Sequence, residues 1–286
     1  MAANYKEELV GVFGHPVAEN PTCVMQNAAF AAAGLNWRYL TIEVRPEQLP
    51  AAINGLRGMN FRGINCTIPH KVAVMSLLDE ARPDAAMIGA VNTVRVDGRG
   101  RLIGENTDGK GFLRGIREDA GMDPAGKSVV ILGAGGASRA IAVELALAGV
   151  RQIRIANRSV ERGQAMVGDL VNRTKVNAEL VPLVGRYRVG KDVDILINAT
   201  SIGLYPDVEA RPEVQLEEAR GNLLVADAIP NPPDTRLLQE CRQRGFKTLN
   251  GLAMLVYQGA IGFEMWTGQK ADEGAMKAAL GKAFGI

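Results

Sequence analysis

Several residue types are scarce in this chain of 286 residues, and each scarcity excludes a class of protein. Only 3 cysteines and 2 histidines are present, scattered along the chain, so neither a disulfide framework nor the ligand spacing of a metal site is found. The formal net charge of +2 lacks the basic excess that nucleic acids or anionic membranes attract. No apolar run approaches the length of a membrane span. We therefore expect no metal, no nucleic-acid partner and no membrane partner.

The remaining composition is that of an ordinary globular protein. Hydrophobic residues make up 47% and charged residues 22% of the 286 residues, a length that favours two domains of modest size. Residues 1–8 include Lys6, Glu7 and Glu8 and no apolar core, so they are not expected to form a secretory signal. With the scattered cysteines, this predicts a cytoplasmic location. Both a monomer and a homodimer stay open.

Predicted strands and helices alternate in two series, a pattern typical of mostly parallel sheets covered by helices. The first series begins at the apolar run 9–13 and ends near Glu105, and a predicted helix at 109–121 links it to the second. The second begins at residues 128–132, whose near-continuous apolar character is typical of a buried parallel strand. The predicted fold is α/β with two domains, the second a Rossmann-like, doubly wound domain.

Two local signals place element boundaries in the first series. The Asp97-Gly98 turn predicts that strands 91–96 and 99–103 pair as a hairpin. Thr22 follows the loop 14–21 and is predicted to cap a helix that runs through Ala33 and is stopped by Gly34.

Residues 65–71 (Asn-Cys-Thr-Ile-Pro-His-Lys) are the most polar stretch without a structural explanation. The Lys71 ammonium can deliver a proton to a carbonyl oxygen as a hydride reaches the carbon, and can recover it in reverse. The Asp108 carboxylate can orient that ammonium group and favour its charged form. Each residue alone is more often a surface or turn residue, but several follow predicted strands and can converge on one cleft. The groups available to a hydroxylated substrate are Asn65, Thr67, Asn92 and Asn106.

A glycine-rich segment follows the strand at 128–132 and precedes a predicted helix. Its backbone amides lie at a helix N-terminus without bulky side chains, which is the geometry that holds a pyrophosphate. Ser138 stands where the usual dinucleotide fingerprint has its third glycine. The alternative is a tight structural turn between strand and helix. The segment is Gly133, Ala134, Gly135, Gly136, Ala137 and Ser138.

The end of the next predicted strand favours NADP over NAD. An acidic side chain usually binds the ribose 2′-hydroxyl at this point, but the chain has Asn157, Arg158 and Ser159, with Arg162 one turn later. Guanidinium groups bind phosphate oxygens bidentately, which suits a 2′-phosphate. The alternative is a solvated helix N-terminus, although cations there oppose the helix dipole. A further turn, residues 198–203, ends another buried strand and carries Thr200.

At these motifs the chain resembles the shikimate/quinate dehydrogenase family. Residues 65–71 are similar to its Asn-x-Thr-x-Pro-x-Lys, residues 89–93 to its Gly-Ala-x-Asn-Thr and residues 106–109 to its Asn-Thr-Asp-Gly. The series keeps the family's order over nearly the whole chain, which makes it specific although each motif is short. The other matching segments are 133–137, 157–162, 198–203, Thr235 with Leu237 and Leu238, and Gly251 with Met254 and Gln258.

The resemblance implies an NADP-binding domain, residues 107–250, inserted between the two pieces of a substrate-binding and catalytic domain, residues 1–106 and 251–286. It implies Lys71 and Asp108 as the catalytic pair. The substrate-binding residues that it implies are Asn20, Thr22, Asn65, Thr67, Asn92, Asp108 and Gln258. The cofactor-binding residues that it implies are Gly133, Ala134, Gly135, Gly136, Ala137, Asn157, Arg158, Ser159, Arg162, Thr200, Ala228, Gly251 and Met254.

The chain departs from the family where the substrate carboxylate is bound. Two family serines in that loop are replaced by Asn20 and Thr22, which can still donate hydrogen bonds. Glu19 adds a negative charge beside them. Pro230 stands where the family has a tyrosine that contacts the substrate, so a hydroxyl is lost. The other differing positions are Cys23 and Gln26.

The leading hypothesis is an NADP-dependent oxidoreductase that interconverts shikimate and 3-dehydroshikimate, or a close cyclic polyol analogue. The expected substrate is a hydroxylated cyclohexene or cyclohexane carboxylate. The alternatives are a quinate dehydrogenase, a related enzyme whose substrate lacks the carboxylate or is larger, and a non-catalytic sensor of NADP or a metabolite.

Overall fold

The computed structural model describes residues 5–285; residues 1–4 of the N-terminal segment and residue 286 lie outside the described residues. The strands are β1 (Glu8–Gly14), β2 (Trp37–Glu43), β3 (Gly63–Cys66), β4 (Glu80–Ala81), β5 (Thr93–Val96), β6 (Leu102–Glu105), β7 (Ser128–Leu132), β8 (Gln152–Asn157), β9 (Ala178–Pro182), β10 (Tyr187–Arg188), β11 (Ile195–Asn198), β12 (Val214–Gln215), β13 (Leu224–Asp227) and β14 (Lys247–Leu249). The α-helices are α1 (Thr22–Ala32), α2 (Leu49–Gly58), α3 (His70–Ala73), α4 (Pro83–Ile88), α5 (Thr107–Glu118), α6 (Gly136–Leu147), α7 (Val160–Thr174), α8 (Arg236–Gln243), α9 (Gly251–Thr267) and α10 (Glu273–Phe284).

The chain divides into two compact units. Unit 1 comprises Met1–Thr107 and Gln258–Ile286, and unit 2 comprises Asp108–Tyr257. The assignment of substrate and cofactor roles to residues 1–106 with 251–286 and to residues 107–250 stays a prediction.

Unit 1 contains a mixed six-stranded sheet in the order β2-β1-β3-β5-β6-β4. Strand β1 pairs in parallel with β2 and β3, whereas β5 is antiparallel to both β3 and β6. The hairpin expected around Asp97 is therefore present. Its turn is closed by the Asp97 carboxylate, which accepts hydrogen bonds from the backbone amides of Arg99 at 2.8 Å and Arg101 at 2.9 Å.

Unit 2 contains a six-stranded sheet in the order β14-β13-β11-β7-β8-β9, and all of its pairings are parallel. Its central strands β7, β11 and β13 are buried along their whole length, as their continuous apolar sequences predicted. The predicted α/β class and Rossmann-like second domain are confirmed. Sequence patterning did not identify the edge strand β9, which is only half-buried and mixes polar with apolar residues.

Two helices begin differently from the sequence expectation. Thr22 is the first residue of α1, not its cap, and its amide donates to Asn20 Oδ1 at 3.0 Å. Helix α5 begins at Thr107, because Asn92 Oδ1 accepts the Thr107 amide at 2.7 Å. A side chain that is distant in sequence thus takes the place of a local cap.

Each unit has its own apolar core. In unit 1 the strands pack against α2 through residues such as Ile53, Leu56 and Ile64. In unit 2 a second cluster includes Val130, Leu196 and Leu237. Among residues 5–285, no helix is both long enough and apolar enough to cross a membrane.

Candidate active site

In unit 1 the predicted substrate residue Asn65 lies at the centre of a buried polar network at the end of β3. Its Oδ1 accepts the Tyr39 hydroxyl at 2.7 Å. Its Nδ2 donates to the Asn92 carbonyl at 3.0 Å and to Thr93 Oγ1 at 2.8 Å. Because a primary amide has two N–H groups, both donors are used inside the protein. Asn65 therefore offers a substrate only the remaining lone pair of Oδ1, and Tyr39 fixes its orientation.

Asn92 extends this network to Thr107 and to the predicted substrate residue Gln258. Besides the Thr107 amide, Asn92 Oδ1 accepts the Thr93 hydroxyl at 3.1 Å. Asn92 Nδ2 lies 3.0 Å from Thr107 Oγ1 and 3.5 Å from Gln258 Oε1. The Thr107 hydroxyl in turn lies 3.3 Å from Gln258 Oε1. The structure thus brings together Asn65, Asn92 and Gln258, three of the predicted substrate residues.

Two other members of the polar motifs are placed differently. Asn106 is buried, and its Nδ2 donates to the Ala90 carbonyl at 3.0 Å, which holds the end of β6 against the preceding segment. Thr67 is half-buried, and its backbone carbonyl accepts the His70 amide at 2.8 Å, which helps to start α3.

Lys71 lies in the short helix α3, which a buried histidine anchors. His70 Nε2 lies 2.7 Å from the Val44 carbonyl, and the Lys71 carbonyl accepts the Val91 amide at 2.8 Å. The backbone of Lys71 is therefore held next to the segment that leads to Asn92, while its side chain is half-buried. Burial raises the pKa of the nearby Cys66 thiol to about 12, which keeps it protonated and excludes it as a nucleophile.

Asp108 is the first residue of unit 2 and lies in the first turn of α5. Its side chain is buried, and the helix N-terminus stabilises a negative charge there. Two other buried acids of unit 2, Glu144 on α6 and Asp227 on β13, lie outside the sequence motifs considered for catalysis.

The substrate loop of unit 1, residues 14–22, was predicted to bind the substrate through Asn20 and Thr22. Asn20 is half-buried, whereas Thr22 is buried. Gln26, one turn further along α1, donates from Nε2 to the Gly259 carbonyl at 2.8 Å. Gly259 lets α1 approach closely, because a Cβ on it would displace the end of the Met25 side chain. The helix behind the loop is thereby fixed to α9.

In unit 2 the glycine segment has the shape of a phosphate-binding turn. Gly133 has φ +101°, and a Cβ there would lie 3.0 Å from the Ala199 carbonyl oxygen, so both conformation and space favour glycine. A Cβ on Gly135 or Gly136 would meet nothing within 4 Å, which leaves the start of α6 open to a ligand. The half-buried Ala134 and Ala137 lie beside these positions.

Ser138 explains the absent third glycine of the fingerprint. Its hydroxyl donates to the Gly133 carbonyl at 2.7 Å and is fully buried. The Ser138 side chain therefore stabilises the turn from its buried side and does not cover the open positions Gly135 and Gly136.

The predicted 2′-phosphate residues lie at the end of β8. Asn157 Nδ2 donates to the Ser159 carbonyl at 2.8 Å, and the Ser159 hydroxyl caps α7 by accepting the Arg162 amide at 3.3 Å. Arg158 and Arg162 are both exposed, and within residues 5–285 no acidic side chain pairs with either guanidinium group. Their N–H groups are therefore available to an anionic ligand.

A polar network at the end of β13 is centred on the buried carboxylate of Asp227, which the sequence motifs did not predict. Asp227 accepts the Ile229 amide at 2.9 Å, the Thr235 hydroxyl at 2.9 Å and Asn198 Nδ2 at 3.2 Å. Burial raises the pKa of Asp227 to about 6 despite these donors. Its position at the end of a buried strand, before a turn, was the available sequence signal.

Asn198 connects this carboxylate to the predicted cofactor residue Thr200. Asn198 Oδ1 accepts the Thr200 hydroxyl at 2.7 Å and its amide at 3.1 Å. The half-buried Ala228 follows Asp227 directly, and its amide donates to the Asn198 carbonyl at 2.9 Å. Thr200 and Ala228 are thus held by one network.

Gly251 starts α9 against the segment that follows Ala228. A Cβ on Gly251 would collide with the Ile229 carbonyl and would lie 2.8 Å from the Pro230 nitrogen, so this close approach requires glycine. Met254 is half-buried one turn later. Within the described residues no group of three or more His, Cys, Asp or Glu side chains could hold a metal ion.

The fold and these two networks define a two-unit α/β protein with a Rossmann-like second unit. Three family models match the chain: the shikimate dehydrogenase substrate binding domain over residues 12–94, shikimate/quinate 5-dehydrogenase over residues 117–241, and the shikimate 5′-dehydrogenase C-terminal domain over residues 251–280. A shikimate dehydrogenase (NADP+) from Desulforamulus reducens is 44% identical over 283 residues, which is 98% of this chain and 96% of that protein. The chain belongs to the shikimate dehydrogenase family.

Two solved structures are similar over nearly the whole chain. A ligand-free 5-ketofructose reductase from a Gluconobacter species is 45% identical with a TM-score of 0.94, covering 98% of this chain and 100% of that one. A shikimate dehydrogenase in complex with NADP+ is 40% identical with a TM-score of 0.89, covering 99% of this chain and 98% of that one.

Proposed function

We propose that this chain is an NADP-dependent oxidoreductase that transfers a hydride reversibly between shikimate and 3-dehydroshikimate, or a close cyclic polyol analogue. The observation that carries the proposal is the buried network of Asn65, Asn92 and Gln258, next to the anchored helix of Lys71. Its groups are uncharged and suited to substrate hydroxyls. The full-length similarity to a relative named shikimate dehydrogenase (NADP+) supports the same reaction.

Lys71 and Asp108 are the proposed catalytic residues. In the reduction, the Lys71 ammonium donates a proton to the carbonyl oxygen while the carbonyl carbon receives a hydride, and an alcohol forms. In the oxidation, the neutral lysine removes that proton. Asp108 orients the ammonium group and accepts a hydrogen bond from a substrate hydroxyl. These roles need no metal.

The chain's residues fit NADP. The cofactor, when bound, supplies the hydride in the reduction and accepts it in the oxidation. The open turn at Gly135 and Gly136 suits the pyrophosphate, because amides at a helix N-terminus bind anions. Arg158 and Arg162 suit the 2′-phosphate, with Asn157 and Ser159 shaping their turn. The residues proposed to bind the nicotinamide end of the cofactor are Thr200, Ala228, Gly251 and Met254.

The substrate residues have separate roles in this proposal. Asn65 keeps an acceptor for a ring hydroxyl and Thr67 offers a hydroxyl. Asn92 and Gln258, joined to one another in the network, orient further ring hydroxyls. Asn20 and Thr22 take the position of the family's serine pair, so a substrate carboxylate is held more weakly.

A comparison of two ketones tests the proposal. The purified protein is mixed with NADPH and either 3-dehydroshikimate or 3-dehydroquinate, and the loss of NADPH absorbance is followed. Turnover of 3-dehydroshikimate is the expected result. Faster turnover of 3-dehydroquinate would favour the quinate alternative. Tight NADPH binding with no turnover of any polyhydroxy ketone would contradict the enzymatic proposal and favour a sensor.

A further inference from the structure

We propose that the substrate loop of unit 1 selects an uncharged polyhydroxy ketone over a carboxylate-bearing one. This inference rests on the proposed function, since it concerns the substrate class of the same site. The reaction is unchanged: NADPH would supply a hydride to one carbonyl carbon and Lys71 a proton to its oxygen, so that this carbonyl becomes an alcohol and NADP+ is the other product.

The loop provides no available positive charge for a carboxylate. Its one basic residue, His15, has its Nδ1 2.8 Å from Glu43 Oε1, so any charge on the imidazole is already matched by an acid. Glu19 is exposed on the loop, directly before Asn20. Two carboxylates and one paired imidazole give this region a negative balance, which disfavours an anionic substrate group.

The hydrogen-bonding groups of the loop suit hydroxyls. Asn20 Oδ1 accepts the Thr22 amide, which orients the side chain and leaves Nδ2 with no protein partner among residues 5–285. The Thr22 hydroxyl also lacks a partner within that range although the residue is only 5% exposed. Each side chain offers a substrate hydroxyl a hydrogen-bond donor but, being uncharged, gives a carboxylate no compensating positive charge.

The loop cannot easily rearrange, because the helix that follows it is tied to the substrate network. On α1, Asn27 exchanges two hydrogen bonds with the Tyr39 backbone, at 3.1 Å from its Nδ2 and 2.9 Å to its Oδ1. The hydroxyl of the same Tyr39 holds Asn65. Gln26 fixes the other side of α1 to Gly259. These contacts therefore fix the distance between the start of α1 and the network around Asn65.

The similarity to a 5-ketofructose reductase agrees with this reading of the loop. 5-Ketofructose is a polyhydroxy diketone without a carboxylate, and the reductase is 45% identical to this chain. The loss of the family's tyrosine hydroxyl at Pro230 removes another group that would meet a carboxylate-bearing substrate.

The first experiment measures kcat/KM with NADPH for 5-ketofructose and for 3-dehydroshikimate. We expect 5-ketofructose to be favoured at least tenfold. A higher kcat/KM for 3-dehydroshikimate would overturn this inference and leave the proposed function intact. Turnover of neither ketone would contradict the proposed function and this inference together.

The second experiment tests the loop with charge-neutral variants. Glu19→Gln should raise kcat/KM for 3-dehydroshikimate about threefold and leave that for 5-ketofructose unchanged. Higher ionic strength should produce part of the same gain in the unmodified protein, because salt screens exposed charges. Glu47→Gln is the matched control, since Glu47 is an exposed glutamate of unit 1 outside the loop. Equal gains in both variants would overturn the role of Glu19.

The third experiment restores the serine pair. Asn20→Ser with Thr22→Ser should shift the ratio of the two kcat/KM values at least tenfold towards 3-dehydroshikimate. An unchanged ratio, with full activity retained on 5-ketofructose, would show that the loop does not set the preference.

Discussion

Each of the two units has a buried polar network at the end of a central strand, and the networks differ in charge. In unit 1 the network around Asn65 and Asn92 consists of amides and hydroxyls. In unit 2 the network converges on the ionisable Asp227. A neutral network keeps its shape over a wide pH range, whereas a network built on a carboxylate changes when that group titrates. The network of unit 1 should therefore tolerate changes of pH better than the network of unit 2.

The largest expected effect separates proton transfer in unit 1 from cofactor binding in unit 2. Lys71→Ala should lower kcat by about 100-fold to 10,000-fold, because general acid catalysis contributes roughly this factor. The Kd for NADPH, measured by fluorescence titration, should stay within about twofold. Comparable losses in kcat and in NADPH affinity would contradict the role of Lys71.

The second effect is the pH dependence of the free energy of unfolding that Asp227 gives to unit 2. Burial raises the pKa of Asp227 from its usual 3.8 to about 6, so between these values the folded state holds a proton that the unfolded state has lost. The stabilisation is complete below pH 3.8 and is lost as the pH rises through 6. At ~1.36 kcal/mol per pH unit of pKa difference, the loss amounts to about 3 kcal/mol.

Denaturant unfolding of the unmodified protein and Asp227→Asn, between pH 4 and 7, measures this effect. The variant lacks the titrating group, so the difference in unfolding free energy should change by roughly 2.4 kcal/mol over this range, since the unfolded Asp227 is already partly deprotonated at pH 4. Its direction should be a relative loss of stability by the unmodified protein as the pH rises. A constant difference would show that Asp227 does not titrate there.

The third effect concerns the cofactor's phosphate. Arg158→Gln should raise the KM for NADPH about tenfold, because a charge-assisted hydrogen bond to phosphate is lost, and should leave the KM for NADH nearly unchanged. Arg220→Gln is a suitable control, since Arg220 is also an exposed arginine of unit 2. If the unmodified protein prefers NADH, the assignment of a 2′-phosphate site is wrong.

The smallest effect tests the orientation of the neutral network. Tyr39→Phe removes the hydroxyl that holds Asn65 Oδ1 and should cost about 1 kcal/mol of stability, with a several-fold loss in kcat/KM. The KM for NADPH should be unchanged. Tyr5→Phe is the control, because Tyr5 is 90% exposed. A normal kcat/KM in Tyr39→Phe would show that Asn65 is held without the phenol.

Local patterning predicts much of this fold, and tertiary contacts decide the rest. Continuous apolar runs identify β7 and β13 because buried parallel strands need them, and the Asp97 turn identifies its hairpin. The start of α5 was misplaced because its capping group, Asn92, comes from a different part of the chain. The two-residue strands β10 and β12 exist only through their pairing with each other.

The candidate site shows the same division. Lys71, Asn92 and Gln258 lie in sequence motifs, and the structure places the latter two in one network. Tyr39 occupies an apolar position of a strand pattern, so its role in holding Asn65 could not be read from its neighbours. Asp227 was equally hidden, since a single acid at a strand end has many explanations.

The hydrogen bonds of Asn20 are all local, and this has a consequence for protein engineering. Its amide donates to the Val17 carbonyl at 3.0 Å, and within residues 5–285 its side chain and carbonyl form hydrogen bonds only with Thr22 and Cys23. The loop can therefore be redesigned without dismantling the long-range contacts that hold the scaffold. A small library at Glu19 and Asn20, which are exposed and half-buried, should change the ketone accepted while leaving the melting temperature almost constant.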